Sequence, residues 1–171
     1  MNDIEWYTPD YILEKVYRVF GNPIGCDPCV ARYLPSRIDA RTKYVYPKSD
    51  GLSLPWHSGT FVNPPYGRDI SKWTAKAISE YKRGVRIILL VPAKTDTKWF
   101  KELIRNSNAA CFIEGRVKFI GPDGNVSGSG GRSPTIAVLL SEQSEDVMRF
   151  GQAFGEIGTL FFTPFFRTSM R

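Results

Sequence analysis

An α/β fold is predicted, with a mostly parallel sheet covered by helices on both faces. Three observations predict it. Short apolar runs recur at 24–26, 60–62, 85–91, 109–113 and 135–140. Their length and β-branched content suit strands rather than helices. Segments of helical period stand between most of them, the order that builds a sheet with crossover helices. The run 85–91 is almost unbroken aliphatic sequence, as expected of a strand buried on both sides. There is no repeat and no linker, so the 171 residues read as one domain, 1–171.

Thr8-Pro9 reads as a helix start, with Thr8 as N-cap and Pro9 in the first turn. Tyr11, Ile12, Val16, Val19 and Phe20 then follow helical spacing to Gly21. The first strand, 24–26, is expected to end at Asp27-Pro28 with the carboxylate at its tip. Residues 30–34 read as one or two helical turns. Residues 35–56 are polar, basic and turn-rich, with a short strand at 44–46 and a turn at Asp50-Gly51-Leu52. Strand 60–62 runs into Asn63-Pro64-Pro65-Tyr66. Asp69 is a candidate N-cap for a helix whose inner face is Ile70, Trp73, Ala77, Ile78 and Tyr81, closed by Gly84. Lys72, Lys76, Lys82 and Arg83 form its solvated face. After 85–91 comes Pro92-Ala93-Lys94. Asp96 is expected to cap a helix burying Trp99, Phe100, Leu103 and Ile104. Strands are expected at 109–113 and 117–120, around Gly115-Arg116, then a glycine- and serine-rich loop over 122–134. A strong strand at 135–140, a helix at 144–154 and an apolar, aromatic tail at 159–166 complete the chain.

Composition excludes several classes. With 42% hydrophobic residues the chain is not a disordered one. No apolar run approaches the ~20 residues that span a bilayer. The start, Met1-Asn2-Asp3-Ile4-Glu5-Trp6, is acidic and lacks the apolar stretch of a signal peptide, so a cytoplasmic protein is expected. Cys26, Cys29 and Cys111 are odd in number and suggest no disulfide framework. Cys26 and Cys29 have C-x-x-C spacing, but a zinc site would want a second pair and finds only Cys111 and His57, so no metal is expected. The net charge of +6 fits an anionic partner such as nucleic acid.

Asn63-Pro64-Pro65-Tyr66 carries the chemistry. Two prolines end regular pairing, since neither has an N–H. The turn then offers the Asn63 side-chain oxygen, the Pro64 carbonyl on a stiff backbone, and the flat face of Tyr66, with Pro65 holding the bend. Two adjacent acceptors suit an –NH2 group with two protons to donate. Such a nitrogen is a poor nucleophile while its lone pair is delocalised. Accepting both N–H bonds favours a pyramidal nitrogen, most strongly where charge develops. Tyr66 suits stacking on a planar base taken out of a duplex. The pattern points to methyl transfer onto a planar NH2 group. The same residues also have ordinary uses: Thr8-Pro9 as a helix start, Asp27 and Asp50-Gly51 as turns, Asn-Pro-Pro as a strand breaker.

With Glu5-Trp6-Tyr7-Thr8-Pro9, Phe20-Gly21, Asp27-Pro28-Cys29, Asp50-Gly51-Leu52, Trp56, the run Pro92 to Thr97 with Trp99-Phe100, and Gly115-Arg116-Val117-Lys118-Phe119 in that order, the chain resembles the phage-type (Dam-like) DNA N6-adenine methyltransferases over roughly residues 5–140. The resemblance implies a Rossmann-like S-adenosylmethionine-dependent methyltransferase fold. It implies S-adenosyl-L-methionine as cofactor and duplex DNA with a flipped adenine as substrate. It implies catalytic roles for Asn63, Pro64, Pro65 and Tyr66. Tyr7, Thr8 and Pro9 match the segment lining the methionine end of the cofactor. Asp27, followed by Pro28, matches the acidic position near the methionine amino group, and Asp50 an acidic position near the adenosine. The glycine-rich loop of many Rossmann folds is absent after Asp27. Little chain remains for a separate recognition domain, so readout is expected from loops 35–56 and 121–134. Lys94, Arg116 and Arg132 are the candidate DNA contacts. Asn-Pro-Pro-Tyr alone is shared by protein-glutamine and RNA-base amino methyltransferases. A non-catalytic DNA-binding protein on such a scaffold is a third reading.

Overall fold

The structure is a computed structural model, and it describes residues 6–30, 36–121, 123–126 and 133–163. Seven strands form one sheet in the order β2-β1-β3-β4-β6-β5-β7. They are β1 (Ile24–Val30), β2 (Ala40–Val45), β3 (Thr60–Val62), β4 (Ile87–Pro92), β5 (Ala109–Ile113), β6 (Thr135–Leu140) and β7 (Gly158–Phe162). The helices are α1 (Asp10–Phe20), α2 (Ile70–Lys82), α3 (Lys98–Asn106) and α4 (Ser144–Phe154). The fold is therefore α/β, as expected.

Strand direction is more mixed than the sequence suggests. β2, β1, β3 and β4 pair in parallel. β6 then inserts antiparallel between β4 and β5, and β7 runs antiparallel to β5. Apolar runs buried on both faces look alike in either direction, so sequence does not distinguish the two. Residue alternation divides the core cleanly. Phe61, Ile88, Leu90, Ala137 and Leu139 pack under α1 and α4. Val62, Ile87, Leu89, Ile136 and Val138 pack under α2 and α3. Every residue of β4 and β6 is buried. At about 1.5–3 kcal/mol for each fully buried large aliphatic side chain, these two strands anchor the fold.

Several local expectations change. β1 does not stop at Asp27. It continues to Val30 through an irregularity between Asp27 and Val30 that takes one more residue than β2 does. Pro28 has no N–H for the ladder, and the bulge accommodates that loss. Of the expected strand 44–46, Tyr44 and Val45 end a longer edge strand, β2, whose exposed Arg41 and Lys43 hide its period, while Tyr46 lies in the turn that follows. Thr8 is not the α1 cap: Pro9 stands at that position, and no side chain caps the helix. Asp69 is at the α2 N-cap, but its carboxylate pairs with Lys72 rather than with backbone N–H groups. The α3 cap is Thr97, whose hydroxyl accepts from the Phe100 N–H, not Asp96. Trp99 and Ile104 are only partly buried.

Residues 117–120 form no strand. Val117 and Phe119 are buried, and the segment makes only isolated bridges at Ile120, to Tyr7 and to Val126. The aromatic tail supplies β7, and its residues 164–166 lie outside the described residues, as do 31–34 of the expected helical turn. Gly84 ends α2 with φ +91, a backbone conformation that other residues rarely adopt. Among the described residues, no helix is long and apolar enough to cross a membrane.

Candidate active site

Topology selects one edge of the sheet. From β1 the chain goes outward to β2, then crosses back to β3 on the other side of β1. Neighbouring connections leave in opposite directions there, which opens a crevice beyond the carboxyl ends of β1 and β3. The Asp27 bulge and Asn63-Pro64-Pro65-Tyr66 lie at those two ends. β4 delivers Lys94 to the same edge, and β5 delivers Arg116. β6, running the other way, brings its start there, where the Ala93 N–H donates to the Pro134 carbonyl (2.8 Å).

Asn63 is held at two points. Its backbone carbonyl accepts from the Cys29 thiol (3.2 Å), and its Nδ2 donates to the Thr8 hydroxyl (3.1 Å). With Nδ2 engaged, Oδ1 is the end of the amide without a partner among the described residues. Pro64 is buried and Pro65 exposed. The Tyr66 ring is 43% exposed, while its hydroxyl turns inward to donate to the Leu90 carbonyl (3.3 Å). Phe119 meets the ring edge-on, with centroids 5.8 Å apart. Burial of the hydroxyl, with the nearby Cys29, pushes its pKa well above the usual value, so the phenol stays neutral. Burial likewise keeps the Cys29 thiol protonated, as a donor must be.

Asp27 is 3% exposed. Burial pushes its carboxyl up to about 6, against the lowering effects of the Cys29 N–H, the Lys43 charge and the Ser36 hydroxyl. The Cys29 N–H reaches Oδ1 at 3.2 Å, a local bond made possible by the bulge. No ion pair to Asp27 exists among the described residues. A buried carboxylate in that state is suited to a cationic ligand. It lines one pocket with Trp6, Tyr7, Thr8, Cys29, Val30, Ser36, Arg37, Ile38 and Asn63. A wider, open hollow along α1 shares only Arg37 with this pocket and holds none of the candidate residues.

The candidates are thus brought together unevenly. Tyr7, Thr8, Asp27 and Asn63 share the pocket, and Pro9 starts α1 beside it. Tyr7 is fixed by two backbone bonds to Ile120 (2.8 and 3.1 Å). Asp50 does not line the pocket. Its carboxylate accepts from the Leu52 N–H (2.9 Å) and the Ser53 hydroxyl (2.6 Å), bonds that lower its pKa. The loop instead meets the site through Gly51, where a Cβ would fall 1.9 Å from the Pro28 carbonyl oxygen. Lys94 and Arg116 are exposed and carry no ion pair among the described residues. Arg132 lies outside the described residues. Sequence reasoning missed the Cys29 thiol, whose partner lies 34 residues away, and the Arg37–Asp10 pair (2.9 and 3.0 Å) at the pocket rim. No local pattern signals either one.

The fold and site together define an α/β protein with an Asn-Pro-Pro-Tyr turn and a buried carboxylate at a topological switch point. Residues 2–154 match the family DNA N-6-adenine-methyltransferase (Dam), and the chain belongs to that family. At the family level its activity is DNA adenine methylation. No curated protein and no solved structure matches the chain.

Proposed function

We propose that this protein transfers a methyl group from S-adenosyl-L-methionine to the N6 amino group of adenine in duplex DNA, on a Rossmann-like methyltransferase domain with its recognition loops embedded. The observation that carries the reading is the Asn63 amide, with Nδ2 engaged and Oδ1 open beside a buried Asp27. When bound, S-adenosylmethionine supplies an electrophilic methyl group. Asp27 would hold its ammonium, a charge-assisted pairing that also relieves the isolation of the carboxylate. Tyr7, Thr8 and Pro9 would form the wall of the methionine end. Pro28 and Asp50 are assigned to the cofactor less directly, through the Gly51 contact.

Asn63 Oδ1 and the Pro64 carbonyl would accept the two amino N–H bonds of a flipped adenine. As the nitrogen gains positive character these bonds strengthen, and the transition state gains more than the ground state. Pro65 stiffens the turn. Tyr66, anchored at Leu90 and against Phe119, presents its ring to the base.

Positive charge supports the DNA assignment by its location. On α2, Lys72 is paired with Asp69, and Lys76 and Arg83 with Glu80. At the carboxyl edge, Arg68, Lys94, Arg116 and Lys118 are exposed without ion pairs among the described residues. Those side chains are available to phosphates.

The test is transfer of tritium from methyl-labelled cofactor to duplex DNA. Label on N6 of adenine is expected. Label absent from DNA but recovered on protein or RNA would select the alternative substrates that share this turn. Absence of cofactor binding in calorimetry would select the non-catalytic reading. Asn63→Ala is expected to abolish transfer while calorimetric binding of S-adenosylmethionine persists; full activity in that variant removes the catalytic assignment.

A further inference from the structure

An asparagine amide is nearly symmetric in shape and opposite in chemistry at its two ends. Rotating it by half a turn would present donors to an amino group that needs acceptors. Asn63 can therefore serve the proposed reaction only if something fixes which end faces out. In the structure the Thr8 hydroxyl accepts from Nδ2 at 3.1 Å across a separation of 55 residues, which tethers the amide with Oδ1 outward.

The surroundings of Thr8 suit that task. Its side chain is 4% exposed. The residue before it, Tyr7, is bonded through its backbone in both directions to Ile120. The residue after it, Pro9, has its carbonyl bonded to the N–H groups of Ile12 (3.0 Å) and Leu13 (3.2 Å). The backbone on either side is thus tied down, and a β-branched side chain adds few rotamers. A threonine before a helix-starting proline would ordinarily cap the helix. Here no side chain caps α1, and the hydroxyl is directed to Asn63 instead. The Cys29 thiol holds the other end of the same residue, at its carbonyl.

We propose that Thr8 is a positioning residue, whose hydroxyl tethers the Asn63 amide so that its open end meets the substrate amino group. This rests on the catalytic assignment of Asn63 and adds to the place of Thr8 in the wall of the cofactor's methionine end.

Thr8→Val keeps the shape and removes the acceptor; Thr8→Ser keeps the acceptor. The measurements are kcat on duplex DNA and the calorimetric Kd of S-adenosylmethionine. At saturating S-adenosylmethionine, Thr8→Val is expected to lower kcat by roughly 10- to 100-fold, as for lost alignment of a reacting group, whatever its effect on Kd. Thr8→Ser should recover most of that loss. A Thr8→Val enzyme with normal kcat at saturating cofactor overturns the proposal and leaves Thr8 with its cofactor role alone. A Thr8→Ser enzyme as slow as Thr8→Val also overturns it. Full activity in Asn63→Ala is a separate outcome: it removes the catalytic reading beneath both.

Discussion

Asp27 makes a pH-dependent residue-scale prediction. Its carboxyl titrates at about 6 in the folded chain and near ~3.9 when unfolded. Between those values the folded state holds a proton that the unfolded state releases. Stability therefore falls as pH rises through that window. Asp27→Asn removes the penalty of a buried, unpaired carboxylate. Its Tm should exceed the parent's at pH 7.5, with the gap closing toward pH 4; an equal gap at both values would contradict the assigned titration. The same ionised carboxylate is the one suited to an ammonium. Cofactor affinity of the parent should tighten between pH 5 and pH 7, and calorimetry on Asp27→Asn should lose that trend. Asn63, Asp27 and Thr8 were each legible in the sequence as residue types in a pattern. Their mutual bonds were not, because Thr8 and Cys29 reach Asn63 across 55 and 34 residues. Local preference even assigned the Thr8 hydroxyl to a different partner, the helix N-terminus.

At the scale of elements, helix starts show where local reading succeeds and fails. Lys94-Thr95-Asp96-Thr97 offers more than one capping side chain, and preference tables rank aspartate at least as high as threonine. The backbone decides: Thr97 is extended, with φ −95 and ψ 150, and its hydroxyl reaches the Phe100 N–H. Thr97→Ala should destabilise the protein by about 1 kcal/mol in urea unfolding, whereas Asp96→Ala should lie within about 0.5 kcal/mol of the parent. The reverse order would return the cap to Asp96. β2 was half legible for a related reason. Its tyrosine and valine mark a strand, but the exposed Arg41 and Lys43 read as loop until the parallel neighbour β1 is known. The segment 117–120 fails the other way. Its alternating Val117 and Phe119 do face the core, yet only isolated bridges form, at Ile120, so the pattern reported burial rather than pairing.

At the scale of the whole molecule, the net charge of +6 becomes informative once its neutralised part is set aside. The α2 cations that looked like a basic face are largely paired. The carboxyl edge keeps its cations. Lys94→Ala and Arg116→Ala should each weaken DNA binding across sequences and reduce the salt slope of log K by about 1. Lys72→Ala, on the paired helix, should leave that slope unchanged. Equal effects from Lys72 and Lys94 would place DNA elsewhere. The alternation of strands and helices was enough to foresee a sheet with helices on both faces. The antiparallel insertion of β6 was not foreseeable, because it depends on which gap the chain enters.

Gly51 has a consequence at this scale too. The loop between β2 and β3 lies against the Pro28 backbone at Gly51 and is fastened by Trp56 Nε1 on the Gly51 carbonyl (2.7 Å) and by the Tyr44 hydroxyl on the Pro55 carbonyl (2.8 Å). Carbonyl groups are present whatever side chains occupy those positions. The residues between the fasteners can therefore drift in sequence while the strand ends stay in register. Under the proposed function, in which this loop reads DNA, its target contacts can change at those positions while the strand ends beside the site keep their places.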